Sequence, residues 1–530
     1  MKKNIIIIMA LLTANIFAFG QKYDANYNQI KHTYVINDDG TVEFNYHKEL
    51  KLNSLRSFFS TYGETFIVYN PAFHTLQIND SYTIRKDGSK IKTPSNAFVE
   101  QLPSSCTNCE RYNGMREMVV VHTALEYGAT IVLDYTITSN TKYFDEIIQL
   151  AETAPVSNYE VCVKVAGGQK LYYELKNSAV KPIKKMNTYT WKFKNLPQTS
   201  GEYYMPKNAD VYPTLFLTTR NMKASDIDVK TSNMAAAKNT ISSLEVKGDK
   251  MKTAEAIRNY VALYVHTNNV SMKLNNYKIN PANKSFASNC ANHVEKAVLL
   301  RDLLKQAGFL AELNVPIDMH KCDKEEFGII NEKDISVIAN VGGNMYEFNP
   351  SNTAAPIKVD NKNADRSVNV VCRDMQWNEK DNKIEGKANT YLVNGEAKEN
   401  NNVSFKLVNE NNGYYTIHIN DGNNGLNIDP AYLTSKRTQP LLCSKTNESY
   451  TYTIVLPKGV SYIGKENKIT QTTAFGSMEI EIKTKGNIVE VSRKIKINKD
   501  IIKVAEYAQF RKMMIDWTNA AYTKLMFKKN

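Results

Sequence analysis

The sequence predicts a multidomain protein in which an α+β core lies between two β-rich domains. Three observations support this prediction. The chain has 530 residues, which is more than a single hydrophobic core usually holds. Apolar residues alternate with a period of two near both ends, and they change to a helical period in the middle third. Apolar residues make up 42% of the chain and charged residues 23%, which excludes disorder on a large scale.

The first twenty residues have the pattern of a secretory signal peptide. Lys2 and Lys3 precede an apolar run from Ile5 to Leu12, and Ala18-Phe19-Gly20 fits a cleavage site. We therefore expect residues 1–20 to be removed, and the mature chain to start near Gln21 in the periplasm or outside the cell. An uncleaved N-terminal anchor is the alternative. No later apolar run is long enough to suggest a transmembrane segment.

Residues 21–235 are predicted to form an antiparallel β-sandwich. Asp39-Gly40 is a hairpin turn signal, and the residues after it alternate between apolar and polar from Val42 to Leu52. The same alternation returns around Ile131, Val161 and Tyr189. Many short strands separated by turns are typical of a sandwich.

Residues 245–360 are predicted to form an α+β core. Apolar residues from Ile257 to Val265 follow the spacing of one helix face. A second helix is expected from His293 to Ala307, with Asn292 and Glu295 forming a capping box and Gly308 ending the helix. Strands are expected over residues 310–315, 335–341 and 345–348.

Residues 370–530 are predicted to form a C-terminal β-sandwich-like domain with a terminal helix. Asn412-Gly413 is a strong hairpin signal between two alternating runs. The helix is expected from about Ile501, and its apolar face would consist of Tyr507, Phe510, Met514, Trp517 and Ala521.

Charge and cysteine content narrow the functional classes. The net charge is +13, but the lysines are spread along the chain without an Arg-rich block, so we expect no nucleic-acid partner. Cys106 and Cys109 form the one close cysteine pair, in a loop context that favours a disulfide over a redox motif. A zinc site would need a second such pair, so we expect neither a metal nor a cofactor.

The predicted helix carries a family resemblance. The stretch His293-Val-Glu-Lys-Ala-Val-Leu-Leu-Arg-Asp-Leu-Leu-Lys-Gln-Ala-Gly-Phe resembles the central helix of the transglutaminase-like superfamily. The segments Ser336-Val-Ile-Ala-Asn-Val and Gly343-Asn-Met-Tyr-Glu-Phe-Asn-Pro-Ser resemble that family's His-bearing strand and its Asp-Pro strand. The resemblance implies a papain-like core. The flanking regions are similar to those of secreted bacterial proteins that combine such a core with an N-terminal domain of unknown function and a C-terminal β domain.

The resemblance also implies a Cys-His-Asp triad, and this sequence departs from it. A Cys at the helix start would be the nucleophile, a strand His the base, and an Asp would orient the His. His293, Ser336 and Asn349 stand at these three positions. Imidazole cannot form the thioester and a serine hydroxyl is no base near neutral pH, so no catalytic residue is expected.

Cys290 is the alternative nucleophile, with His266 or His320 as its base. Cys290 precedes Asn292, the expected N-cap, and so lies about one turn from the position of the family's nucleophile. It could instead pair with Cys322 in a disulfide. Three hypotheses follow. The first is a non-catalytic protein, a pseudoenzyme that binds or scaffolds an envelope peptide, protein or glycan. The second is an active cysteine peptidase or acyltransferase. The third is a β-sandwich ligand-binding protein with the core as a spacer.

Overall fold

The computed structural model describes residues 23–141, 143–227, 229–359, 366–392, 397–419 and 430–530, so the predicted signal peptide lies outside the described residues. The fold is mostly β-strand and divides into two compact units. The first contains the described residues up to Thr199 and from Tyr212 to residue 359; the second contains Ser200–Val211 and the described residues from 366 onward. The predicted boundary near residue 235 falls within the first unit, and the division into three domains stays a prediction.

The N-terminal part of the first unit is a set of stacked sheets. Its strands are β1 (Ala25–Ile36), β2 (Thr41–Leu52), β3 (Glu64–Tyr69), β4 (His74–Ile84), β5 (Lys90–Lys92), β6 (Phe98–Gln101), β7 (Arg116–Val121), β8 (Thr130–Asn140), β9 (Phe144–Gln149), β10 (Val156–Val165), β11 (Tyr172–Lys176), β12 (Ile183–Lys185), β13 (Thr188–Leu196) and β14 (Thr214–Arg220). The main sheet has the order β12-β13-β10-β1-β2-β8-β4-β5, and two smaller sheets have the orders β11-β14-β9 and β3-β7-β6. Neighbouring strands are antiparallel, except that β1 and β10 are parallel.

The turn at Asp39-Gly40 and the alternating strands of this part are present as predicted. Gly40 has a φ of +91°, and the Asp39 carboxylate accepts a hydrogen bond from the N–H of Thr41 at 2.8 Å. This turn joins β1 and β2, whose alternating residues face a core that includes the fully buried Trp191 and Tyr159. The alternating runs at residues 131, 161 and 189 are likewise strands, namely β8, β10 and β13.

The C-terminal part of the first unit combines helices with short strands. The helices are α1 (Lys238–Leu244), α2 (Lys250–Tyr264), α3 (Ala282–Ser288) and α4 (His293–Gln306). The strands are β15 (His266–Thr267), β16 (Cys290–Ala291), β17 (Ala311–Asn314), β18 (Ile317–Cys322), β19 (Glu325–Ile330), β20 (Ser336–Val341), β21 (Asn344–Phe348) and β22 (Ile357–Lys358). An antiparallel sheet has the order β17-β20-β21-β22; β15 pairs with β16 in parallel, and β18 with β19 as a hairpin.

Helix α4 is the centre of this part, and its predicted cap is present. The Asn292 side chain accepts a hydrogen bond from the N–H of Glu295 at 2.9 Å, and the Glu295 carboxylate accepts one from the N–H of Asn292 at 3.1 Å. Every residue from Val294 to Leu304 is buried, which is more than the single apolar face that the spacing predicts. The apolar residues of the helix share a core with Val337 and Ala339 of β20.

The second unit is also mainly β. Its strands are β23 (Arg366–Asn378), β24 (Lys383–Leu392), β25 (Ala397–Lys406), β26 (Val408–Asn409), β27 (Tyr414–His418), β28 (Leu441–Leu442), β29 (Thr446–Val455), β30 (Val460–Tyr462), β31 (Asn467–Thr473), β32 (Gly476–Lys485), β33 (Ile488–Ile497), β34 (Ile501–Ile502) and β35 (Lys524–Lys529). The larger sheets have the orders β25-β24-β23-β29-β33-β32-β31 and β26-β27-β35-β30, and β28 pairs with β34.

The terminal helix of the second unit begins later than predicted. Helix α5 (Val504–Thr518) follows β34, because Ile501 and Ile502 pair with β28 instead of starting the helix. Its predicted face is buried from Tyr507 to Trp517, whereas Ala521 lies in the separate short helix α6 (Ala520–Thr523) and is exposed. Among the described residues, no helix combines the length and the apolar character needed to cross a membrane.

One segment joins the second unit from an earlier part of the chain. Ser200–Val211, which includes a one-turn helix at Asn208–Val211, belongs to this unit although it precedes β14 in sequence. The Glu202 carboxylate accepts a hydrogen bond from the N–H of Thr438 at 2.8 Å and lies 3.4 Å from the Arg437 guanidinium.

Candidate functional site

His293 occupies the first position of helix α4, where the family would have its nucleophile. The imidazole is half-buried, and its Nδ1 lies 3.4 Å from the hydroxyl of Ser351. Burial lowers the pKa of His293, and the positive charges of Lys333 and Lys296 lower it further. The Asn349 side chain accepts a hydrogen bond from the N–H of Ser351 at 2.8 Å. Ser351 therefore contacts both His293 and Asn349, and the lowered pKa of His293 favours its neutral imidazole.

Ser336 lies on the other face of β20. Val337 and Ala339 face helix α4, so the alternation of the strand places Ser336 on the opposite side of the sheet. There the hydroxyl of Ser336 donates a hydrogen bond to Glu347 at 2.6 Å and accepts one from Asn314 at 2.9 Å. The three positions named from the sequence thus do not converge. The residues of β20 that face the helix are aliphatic and offer no base.

Cys290 is bound to another sulfur. It lies in β16, two residues before the N-cap of α4, and forms a disulfide with Cys109, with 5.6 Å between the two Cα atoms. The predicted Cys106–Cys109 disulfide is therefore wrong for this structure, and Cys106 is a buried free thiol. Cys322, the other partner considered for Cys290, is also free and buried. The fold brings together two cysteines that are 181 residues apart, which spacing along the chain cannot reveal.

The disulfide fastens the loop of residues 102–115, which joins β6 to β7, to the start of helix α4. Cys109, Tyr112 and Met115 of this loop share a buried cluster with Val270 and Cys290. The hydroxyl of Tyr112 donates a hydrogen bond to the Glu295 carboxylate at 2.8 Å. The sequence predicts only a capping role for Glu295, because its partner Tyr112 lies 183 residues away along the chain.

Asn280 completes the surroundings of the buried Glu295 carboxylate. Its side-chain amide donates to Glu295 at 2.6 Å, and its backbone N–H donates at 3.0 Å. Glu295 is fully buried, and donors from three separate segments satisfy it. The start of helix α4 is therefore held by a hydrogen-bonded group and a disulfide that both involve the 102–115 loop.

Of the two candidate bases, only His266 is next to Cys290. His266 in β15 pairs with Cys290 in β16, and the exposed imidazole donates from Nε2 to the carbonyl oxygen of Ser105 at 3.2 Å. Asn268 donates from Nδ2 to the sulfur of Cys290 at 3.6 Å. Cys290, His266 and Asn268 therefore lie next to one another, and the sulfur of Cys290 is part of a disulfide.

His320 belongs to a different place. It is a buried residue of strand β18. Its ring stacks on Phe216 with 3.9 Å between centroids, and its Nδ1 lies 2.8 Å from the Glu174 carboxylate. Burial lowers the pKa of His320, while the hydrogen bond to Glu174 acts in the opposite direction. These partners from β11 and β14 give His320 a packing role.

Lys296, one turn after His293, is a buried cation. Its ammonium donates to the carbonyl oxygen of Ala262 at 3.2 Å, and burial lowers its pKa to about 8. In the part of the chain that the structure describes, no group of three His, Cys, Asp or Glu side chains could hold a metal ion.

A cavity of about 880 Å³ lies at the other end of helix α4. It is formed by α1, the start of α2, the end of α4 and the turn between β20 and β21. Its lining carries charges of both signs and apolar side chains, including Lys238, Glu245, Asp249, Lys250, Phe309 and Leu310. Clefts of this size and mixed character accommodate small molecules or peptide segments.

Two parts of the chain match known families. Residues 38–200 match the family model of a domain of unknown function with a solved structure, DUF3857, and residues 412–527 match that of a second such domain, DUF3858. No curated protein matches the sequence.

Among solved structures, the chain is similar to a putative protease from Parabacteroides distasonis ATCC 8503. The two share 27% identity over 95% of this chain and 99% of that one, with a TM-score of 0.64. Two structures of an M1 zinc metallopeptidase from Deinococcus radiodurans match 54% of this chain and 65% of that chain at 10% identity. Their TM-scores of 0.21 and 0.18 are too low to support an argument. The chain therefore carries a DUF3857 and a DUF3858 domain and resembles, over nearly its whole length, a structure named as that of a protease.

Proposed function

We propose that this protein is an exported, non-catalytic member of the transglutaminase-like superfamily that binds a peptide, protein or glycan of the cell envelope. The superfamily assignment is supported by helix α4, which packs on an antiparallel sheet containing β20 and β21 in the expected order. The similarity to a structure named as a protease agrees with this descent. The two flanking domains of unknown function fit the same arrangement.

The Cys109–Cys290 disulfide carries the non-catalytic part of the proposal. A thiolate is the nucleophile in cysteine-dependent acyl transfer, and a sulfur in a disulfide cannot act as one. His293 takes the helix start, and Ser336 lies on the far face of its strand. The nucleophile and the base are thus both missing from the places where the chemistry needs them.

The same disulfide supports export. Disulfides form and persist in oxidising compartments such as the periplasm and the extracellular space. A long-range disulfide between Cys109 and Cys290 fits such a compartment, as does the signal-peptide pattern of residues 1–20.

The cavity at the end of helix α4 is the place where we expect a ligand. Phe309 and Leu310 offer apolar contacts, while Lys250 and Asp249 can meet opposite charges on a peptide. This cavity lies at the opposite end of helix α4 from Cys290, against which the 102–115 loop packs.

Two assays on the oxidised full-length chain test the proposal. The first measures hydrolysis of casein and amine incorporation into it, and we expect no turnover. The second measures binding of fluorescent casein peptides by anisotropy. We expect Asn340→Trp, which fills the cavity, to weaken binding at least tenfold, and Asn352→Trp, at an exposed site, to leave it unchanged. Turnover that disappears in Cys290→Ala would overturn the non-catalytic assignment, and equal binding by both Trp variants would overturn the binding site.

Two observations favour a second candidate, an active cysteine peptidase. His266 pairs with Cys290 in the strand register, and Asn268 donates to its sulfur. Casein hydrolysis that appears after reduction, and is lost in both Cys290→Ala and His266→Ala, would support this candidate.

A further inference from the structure

Three cysteine side chains lie in one buried cluster. Cys106, Cys109 and Cys290 pack together with Tyr112 and Met115 of the 102–115 loop and with Val270. Two of the sulfurs form the disulfide, and the third is a free thiol with no exposed surface. A disulfide with a thiol beside it is the minimal arrangement for exchange.

The backbone keeps Cys106 within reach of Cys109. The N–H of Cys109 donates to the carbonyl oxygen of Cys106 at 3.0 Å, which closes a four-residue turn. Thr107 has φ −59° and ψ 133°, and Asn108 has φ 64°, as in a type II turn. Such a turn holds its end Cα atoms within about 7 Å. Disulfides span roughly 4.4–6.8 Å between Cα atoms, so Cys109 has two candidate partners.

We propose that Cys106, Cys109 and Cys290 form an intramolecular thiol–disulfide exchange site. The thiolate of Cys106 attacks the sulfur of Cys109, and a Cys106–Cys109 bond forms as the Cys109–Cys290 bond breaks. Cys290 leaves as a thiolate and takes up the proton that Cys106 has given to solvent. One disulfide and one thiol are present before and after the step, so it needs no oxidant and no reductant.

The folded contacts set the direction of this exchange. The Cys109–Cys290 bond closes a separation of 181 residues, whereas a bond to Cys106 closes only a short turn. Because a longer closed loop costs more chain entropy, the long-range bond depends on contacts that hold the 102–115 loop on helix α4. The hydrogen bond from Tyr112 to Glu295 is one of these contacts. Burial raises the pKa of the Cys106 thiol and keeps it protonated while the loop is closed.

Exchange changes the surroundings of Cys290. The released thiol stays in β16, beside His266 and under the amide of Asn268. The exchange also removes the covalent link between the 102–115 loop and Cys290. The oxidised chain therefore has two isomers of equal composition. In one the Cys109–Cys290 bond holds the 102–115 loop on the protein core, and in the other the Cys106–Cys109 bond leaves the loop free to move away.

Mass mapping of disulfides tests the exchange in the full-length chain. The protein is held without reductant in urea below its unfolding midpoint, on a Cys162→Ser background that removes a partly exposed thiol. Iodoacetamide traps free thiols over time. We expect Cys290 to become labelled as a Cys106–Cys109 peptide appears. Cys106→Ser should slow Cys290 labelling at least tenfold, and Cys322→Ser, which removes a buried thiol outside the cluster, should not change it.

A second set of measurements separates exchange from its alternatives. Tyr112→Phe should speed Cys290 labelling, because it removes a contact that holds the loop closed. The rate should not depend on protein concentration, since the attack is within one chain. Equal Cys290 labelling in Cys106→Ser and in its Cys162→Ser parent would overturn the proposal. A labelling rate that rises with protein concentration, or a parent protein that keeps only the Cys109–Cys290 pair, would also overturn it. Retention of that pair in Cys106→Ser verifies that the variant folds.

Discussion

Removing the Cys109–Cys290 disulfide should destabilise the first unit strongly. The bond joins residues 181 positions apart, and the chain-entropy model gives about 5 kcal/mol for closing a loop of that length. In the double variant Cys109→Ala/Cys290→Ala the loss of two buried sulfurs adds on the order of 1 kcal/mol each. Because engineered and natural disulfides often contribute less than the model gives, a loss of at least about 3 kcal/mol is the expected result.

Hydrogen exchange in urea measures this effect separately in each unit. The opening free energy of helix α4 should fall in the double variant, while that of β33 in the second unit should stay the same. Cys106→Ala is the matched control, since it removes a buried sulfur of the same cluster without a cross-link. A double variant within about 1 kcal/mol of this control would refute the reasoning that the cross-link stabilises the unit.

Three further predictions concern single contacts. Tyr112→Phe should cost about 2 kcal/mol in a urea titration, because it leaves the buried Glu295 carboxylate one donor short. Burial and the nearby Lys48 lower the pKa of His122 from 6.5 to about 3. Since the unfolded chain therefore binds the extra proton, wild-type stability should fall as the pH drops from about 6.5 toward about 3, and His122→Gln should remove that part of the slope. Gly476→Ala should cost at least about 2 kcal/mol, because its Cβ would lie 1.9 Å from a backbone oxygen.

Controls decide these three cases. Tyr264→Phe removes an exposed hydroxyl of the same unit and should leave the urea midpoint unchanged. A loss equal to that of Tyr112→Phe would contradict the role given to Glu295. Wild type and His122→Gln with parallel pH profiles would show that this histidine does not set the slope. Ser477→Ala, one residue after Gly476, adds no atom and should be nearly neutral, so equal midpoints for both alanine variants would refute the predicted clash.

Local signals were sufficient for much of the fold. The capping box of Asn292 and Glu295 and the turn at Asp39-Gly40 depend on residues close in sequence, and both are present. The hairpin of β18 and β19 was missed because its turn contains no glycine. Asp323 adopts the positive φ of +54° in this turn. Asp can adopt this conformation, but its presence in a sequence does not by itself predict a turn.

The candidate site could be predicted only in part, because its decisive contacts are long-range. The sequence located helix α4 and Cys290 but could not show that Cys109 reaches Cys290. It also could not show the face of β20 on which Ser336 lies, since a shift of one residue in register reverses every side chain.

The placement of Ser200–Val211 has a consequence for how the protein can be dissected or recombined. A cut between residues 360 and 366 leaves this segment on the N-terminal fragment, while its partners Arg437 and Thr438 stay on the other. One break in the chain therefore yields two pieces that still share a folded unit. A gene fusion that replaced only the C-terminal part would remove Arg437 and Thr438, so the replacement would need other residues that contact Glu202. Exchanging the two parts of the chain separately would therefore divide a folded unit.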